Sequence, residues 1–371
     1  MIDIVLAIIN HVDALERHWV HYSKPPGVLE EENMHRFVGR AAFCLTASLL
    51  IAASGALAQN AEPIKIISSL PTLTSSATYL MEARGYDKAH GLTTDITQSG
   101  GSSSLQIDAV LAGSATFGAP GTSTALQAIR EGADIKIIGS IAKNQIAAVI
   151  GNEALKKAGI PATAPIADRI KALKGMTIGT NPVGSTYYQL MRYYLQQYGI
   201  DPDKDVRLVG MGDSSGLISG VEQGRFDAIV SASGVVEQAI SLDAGQLWFS
   251  GARGDLPGGE NSVVCVVIAR SDTIEKNPQL IEAFRASMKD ALKAMREDRA
   301  ETGRVLKEQF FTKLDPKVWE TVWANAVDAY PSDFTFTRDA YDFWVKIDPK
   351  GADSYRNIDY SQVVYAPAQG K

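Results

Sequence analysis

Six short segments rich in glycine, serine and threonine carry the chemistry that this 371-residue chain advertises: residues 70–75, 100–103, 119–123, 184–186, 212–215 and 232–235. Each follows a predicted β-strand, and most lead straight into a predicted helix. Hydroxyls and free backbone amides at such places, with little side-chain bulk, suit the grip of a small polar or anionic group. None of the six supplies a carboxylate pair, a nucleophile beside its base, or a Gly-Lys-Ser/Thr phosphate loop. The pattern is one for holding a molecule and not for changing it. Ser185 also has a plainer reading as the N-cap of an amphipathic helix, with Tyr187, Leu190, Met191, Tyr194, Leu195 and Tyr198 on one face and Gly199 as its stop.

The N-terminal region decides which other reactive side chains count. His35, Arg36 and Arg40, the apolar run 41–53 and the small residues Ala56-Leu57-Ala58 read as a secretory signal over 34–58, cleaved after Ala58. Residues 1–33, with Pro25-Pro26-Gly27 and Glu30-Glu31-Glu32, do not suit an n-region. They read as an extension ahead of a start at Met34, although a start at Met1 stays open. Export removes His11, His18, His21, His35 and Cys44, leaving His90 and Cys265.

One cysteine cannot form an internal disulfide, and one histidine with one cysteine cannot build a metal cluster, so no metal or cofactor is expected. Cys265, inside the apolar run 262–269, reads as a buried inert thiol. His90, in the polar stretch 84–92, reads as a surface side chain and not as a catalytic base. A net charge of −6 without a basic stripe argues against a nucleic-acid partner.

The elements that must position the six segments alternate regularly. Strands are predicted at 64–67, 92–98, 115–118, 135–139, 146–150, 176–179, 206–210, 226–231, 247–250 and 263–268, with helices between most of them. Both halves repeat one pattern: a helix ends on Gly113 or Gly224, a short strand carries Phe117 or Phe226, and small residues open the next helix. This order predicts an α/β protein of two similar lobes with mainly parallel sheets. Helices at 278–299, 300–310, 317–329 and 338–345 follow, with Trp319, Trp323 and Trp344 at core spacing and Arg296-Glu297-Asp298-Arg299 as a solvated run.

Several motifs carry a family resemblance: Gly85-Tyr86 with Gly91-Leu92, Gly100-Gly101-Ser102, Leu173-Lys174-Gly175-Met176-Thr177-Ile178-Gly179 followed by Gly184-Ser185, Gly199-Ile200-Asp201-Pro202, and Gly224-Arg225-Phe226-Asp227-Ala228. The chain resembles the solute-binding proteins of ABC importers for nitrate, sulfonates and taurine, a superfamily that includes binders of thiamine-pyrimidine precursors. The resemblance implies a type II periplasmic-binding fold with extra C-terminal helices. Lobe one would comprise 59–146 and 263–371, and lobe two 147–262, with a solute clamped between them.

Carried over by position, the pocket candidates are Pro71, Thr72, Gly101, Ser102, Gly121, Thr122, Gly184, Ser185, Asp213 and Ser233. The resemblance implies a periplasmic monomer that passes its solute to an inner-membrane permease with its ATPase. The six segments offer no Arg for bidentate pairing with a sulfonate; Lys143 and Arg253, near the crossovers, are the candidates. The charge of the solute therefore stays open between sulfonate or nitrate and a neutral or zwitterionic compound. Two other roles stay open as well: an enzyme of the pyrimidine-precursor synthase type on the same fold, and a sensor that presents its ligand to a receptor.

Overall fold

The computed structural model describes residues 63–370. The expected signal peptide at 34–58, the extension at 1–33, and His11, His18, His21, His35 and Cys44 lie outside the described residues.

Two five-stranded sheets organise the chain. The first contains β1 (Ile64–Ser68), β2 (Thr94–Gln98), β3 (Phe117–Gly118), β4 (Ile135–Lys143) and β10 (Val263–Arg270), in the order β2-β1-β3-β10-β4. The second contains β5 (Ile146–Gly151), β6 (Thr177–Thr180), β7 (Arg207–Gly210), β8 (Ala228–Ala232) and β9 (Gly245–Ser250), in the order β7-β6-β8-β5-β9. Pairing is parallel except at β10, which runs against β3 and β4, and at β5, which runs against β8 and β9. These two reversed strands are the ones that carry the chain between sheets. Each enters its sheet at the edge where the other strands end, and so must run backwards.

Strands covered on both faces need continuous apolar runs. Every residue of β5 is buried, as is every residue of β10 except Arg270. The helices α1 (Ser76–Ala83), α2 (Tyr86–Ala89), α3 (Ser103–Leu111) and α4 (Thr122–Arg130) connect strands of the first sheet. α5 (Asn152–Ala158), α6 (Ile166–Lys171), α7 (Thr186–Gln197), α8 (Ser214–Glu222) and α9 (Val235–Ser241) do so in the second. The predicted α7 stripe forms: Leu190, Met191, Tyr194 and Leu195 are buried, and Ser185 Oγ accepts from the Tyr188 amide at 3.4 Å.

The C-terminal region comprises α10 (Ser271–Lys276), α11 (Pro278–Glu297), α12 (Arg299–Gln309), α13 (Pro316–Ala326), α14 (Arg338–Ile347) and α15 (Tyr360–Val363). Pro278 opens α11, where its missing N–H costs nothing, and Ile281, Phe284, Met288, Ala291, Leu292 and Met295 form the buried stripe. That face lies on α1, α2 and β4. Arg285, on the same helix, is buried too; its guanidinium donates to the carbonyls of Ile138, Phe334 (3.1 Å) and Pro367 (2.6 Å). The close approach of Phe334 to β4 requires Gly139, where a Cβ would stand 2.4 Å from the ring.

Beyond α15, Val364 bridges Ile137 and Tyr365 N–H donates to the Ile137 carbonyl at 2.9 Å, which covers the outer edge of β4. α14 touches helices of both sheets, α4 and α7. Its Trp344 indole donates to the Val263 carbonyl at 2.7 Å, and its Phe343 meets Tyr193 of α7 edge-on at 5.4 Å. Trp319 and Trp323 stack at 5.7 Å within the core, in line with their spacing in the sequence.

Candidate functional site

The first passage between the sheets takes only Asn144 and Gln145, so the strand ends on either side are held close together. Asn144 adopts φ 49° and braces both passages: its backbone N–H donates to the Ser262 carbonyl at 2.8 Å, and its side-chain amide to the Gly251 carbonyl at 2.7 Å. Between the two sheets' connections, Thr74 Oγ1 and the Tyr187 hydroxyl lie 2.8 Å apart. Ser123 Oγ donates to the Gly184 carbonyl at 3.2 Å and lies 3.3 Å from Thr186 Oγ1, which also accepts from the Ser123 N–H at 3.3 Å. Gln127 Nε2 reaches the same Gly184 carbonyl at 3.4 Å. Gly121 permits this approach, since a Cβ there would stand 2.5 Å from Thr186 Oγ1.

The pocket candidates read from the sequence divide by position. Gly121 approaches Thr186, next to Gly184 and Ser185, while Thr122 is buried beside Ser123, which bonds the Gly184 carbonyl. Pro71 and Thr72 lead into the short turn that carries Thr74 to Tyr187, and Thr72 Oγ1 lies 3.2 Å from Ser75 Oγ. Ser233 is buried, and its N–H donates to the Gln145 carbonyl at 3.1 Å. Gly101, Ser102 and Asp213 are exposed and make none of these contacts.

Ser102 and Asp213 cap their own helices, accepting from the Leu105 amide at 3.2 Å and the Gly216 amide at 2.7 Å. Ser185, as noted, does the same for α7. Arg253 is exposed, while Lys143 is half-buried at the end of β4. His90 pairs with Asp290 at 2.7 Å and ties α2 to α11. Among the described residues, no group of three or more His, Cys, Asp or Glu could hold a metal ion, and no helix is long and apolar enough to cross a membrane.

Other residues at the junction escaped the sequence reading. The sequence places Tyr187 in a core stripe, and its position two residues after the Ser185 N-cap is the signal for its role at the junction. Burial raises its phenol above the ordinary range, as it does for Tyr330, whose hydroxyl donates to the Leu73 carbonyl at 2.6 Å. Glu237 caps Gly234 N–H at the start of α9, and burial raises its carboxyl.

Cys265 is where the apolar run placed it, with Sγ 3.3 Å from the Ala119 carbonyl; burial pushes its thiol up to about 12. The thiolate is the reactive form, so Cys265 should resist alkylation by iodoacetamide at pH 8 in the folded protein and react on unfolding. Mass spectrometry of the peptide that carries it reads the outcome, and prompt native labelling would contradict this burial.

A family model described as NMT1/THI5 like matches residues 74–302. No curated protein sequence matches the chain. Among solved structures, the chain is similar to the alkanesulfonate-binding protein SsuA from Xanthomonas axonopodis pv. citri bound to MOPS, at 18% identity and TM-score 0.61, over 84% of this chain and 99% of that one. It is similar to the periplasmic nitrate-binding protein NrtA from Synechocystis PCC 6803 at 14% identity and TM-score 0.54, over 72% of this chain and 70% of that one. A third likeness, at 14% identity and TM-score 0.60 over 82% of this chain and 96% of the other, is to the Candida albicans CA3427 gene product, described as having the generic periplasmic binding protein structural fold. Identities this low speak to fold, and the two mixed sheets with their flanking and C-terminal helices are that fold. With more than half of its length matched by the family model, the chain belongs to the NMT1/THI5-like family.

Proposed function

We propose that the protein is the periplasmic solute-binding component of an ABC importer. It is exported by the signal at 34–58, holds a small polar solute between two lobes, and delivers it to a membrane permease. In this reading 59–146 with 263–371 form one lobe and 147–262 the other, and they close about the Asn144–Gln145 and 251–262 passages. The observation that carries it is the meeting of Thr74 with Tyr187, and of Ser123 with Gly184 and Thr186, beside a two-residue passage. The Thr74–Tyr187 and Ser123–Gly184–Thr186 contacts run through hydroxyls and backbone, and contacts of that kind can part and close again at small cost.

The chemistry at the junction supports binding without turnover. It offers hydroxyls, an amide and a thiol raised far above neutrality, while the one histidine among the described residues is engaged with Asp290. The likeness to an alkanesulfonate-binding and a nitrate-binding protein points the same way.

A thermal-shift panel of sulfonates, nitrate, amino-acid-like zwitterions, pyrimidines and aromatic acids tests the reading. A solute present at a hundred times its Kd should stabilise the protein by about 2.7 kcal/mol. Turnover of any compound, with no stabilisation by its unreactive analogues, would point to an enzyme instead.

A further inference from the structure

Resting on that reading, we propose that the solute is uncharged and is recognised through the side-chain amide of Gln145, by an edge that sets a carbonyl beside an N–H, as in a carboxamide, a ureide or a lactam. Gln145 lies in the passage between β4 and β5 and is fully buried, yet neither Nε2 nor Oε1 has a hydrogen-bond partner. Buried amides are almost always paired, and one without a well-formed hydrogen bond at either end calls for an explanation. Bracing the passage is not the explanation, because Asn144 does that and Gln145 contributes only its backbone carbonyl, to Ser233.

The Gln145 amide N–H faces the Tyr330 phenol oxygen as its one approach to a partner, while the phenol proton is committed to Leu73. Three more fully buried hydroxyls without partners stand at the same strand ends: Ser68 at the end of β1, Thr122 after β3, and Thr180 at the end of β6. All of these open groups are neutral.

An anion would need either a countercharge or free amides at the helix starts. At each of these helix starts one amide is already engaged within the protein. Gly121 N–H donates to Ser103 Oγ at 3.0 Å, Ser123 N–H to Thr186, Tyr188 N–H to Ser185, Gly216 N–H to Asp213, and Gly234 N–H to Glu237. Two of the acceptors are carboxyl groups, which would repel an anion when ionised. Lys143 is the nearest cation in sequence, and its role is tested directly below.

Isothermal titration of the full-length protein against matched pairs decides the matter: nicotinamide with nicotinate, and uracil with orotate, alongside ethanesulfonate and nitrate. An uncharged member should bind at least about tenfold more tightly than its acid, and Gln145→Met should lower that affinity about tenfold, the worth of one or two neutral hydrogen bonds. The same variant should unfold no more easily than the parent, because it removes an unpaired amide at constant volume; a merely structural glutamine would show the reverse. Tightest binding of an anion, weakened by Lys143→Ala, overturns the inference and leaves the solute-binding reading intact. Failure of every probe to bind overturns both.

Discussion

Gly121→Val should lower affinity for any bound solute by roughly 10–100-fold while barely changing thermal unfolding of the unliganded protein. The backbone at Gly121 has φ −63° and ψ 140°, which valine adopts without strain. The obstruction is Thr186 Oγ1, 2.5 Å from where the new Cβ would stand; Ser103 Oγ, of the first sheet's own α3, is at an ordinary 3.4 Å. The added methyl groups therefore burden only the state in which the two sheets' loops touch. Forced overpacking costs about 1–3 kcal/mol, enough to hold the loops apart but not to unfold either sheet. Titration calorimetry with any solute that stabilises the parent reads the effect, and Thr186→Ala in the same chain should restore part of the loss. An equal fall in the melting temperature of the unliganded variant would make Gly121 an ordinary packing glycine.

Arg285→Leu should destabilise the protein by at least about 1.5–3 kcal/mol, the worth of a hydrogen bond to a charged group, since three buried carbonyls lose their donor. The guanidinium holds three carbonyls from three separate segments, at Ile138 in β4, Phe334 before β11 (Phe336–Thr337), and Pro367 near the C-terminus. Its plane lies over the Phe334 and Tyr365 rings at 5.7 and 5.8 Å. Burial lowers its pKa, yet guanidinium begins so high that the charge remains. Leucine would leave those acceptors without this donor, and a single lysine ammonium cannot span the same fork, so Arg285→Lys should recover little. Urea unfolding measures it, and a loss under about 1 kcal/mol would mean that water replaces the guanidinium.

The chain's local rules were legible before the structure. The stripe and cap of α7, the Pro278 start of α11, and the small-residue turns follow from spacing within a dozen residues, and they appear as expected. Position across sheets was not legible. Ser102 and Ser185 look alike in sequence, both small hydroxyls before a helix, yet one is exposed and the other sits beside Gly184 at the junction. Gln145 offers no local signal at all. Its burial follows from two strands that pack around a two-residue passage, which depends on pairings between residues as far apart in the chain as Ile146 and Ala232.

The strand order also fixes a sequence of events during synthesis. All five strands of the second sheet come from one continuous stretch, Ile146 to Ser250, and can pair as soon as that stretch is made. The first sheet cannot finish so early, because β10 must slot between β3 and β4, and β4 has no neighbour in that sheet until it arrives. Loop closure over so long a segment is slow, and an unpaired apolar strand is prone to join the wrong partner in the meantime. The half of the molecule made first is therefore the half that matures last, and β4 is the element that a chaperone would have most reason to shield.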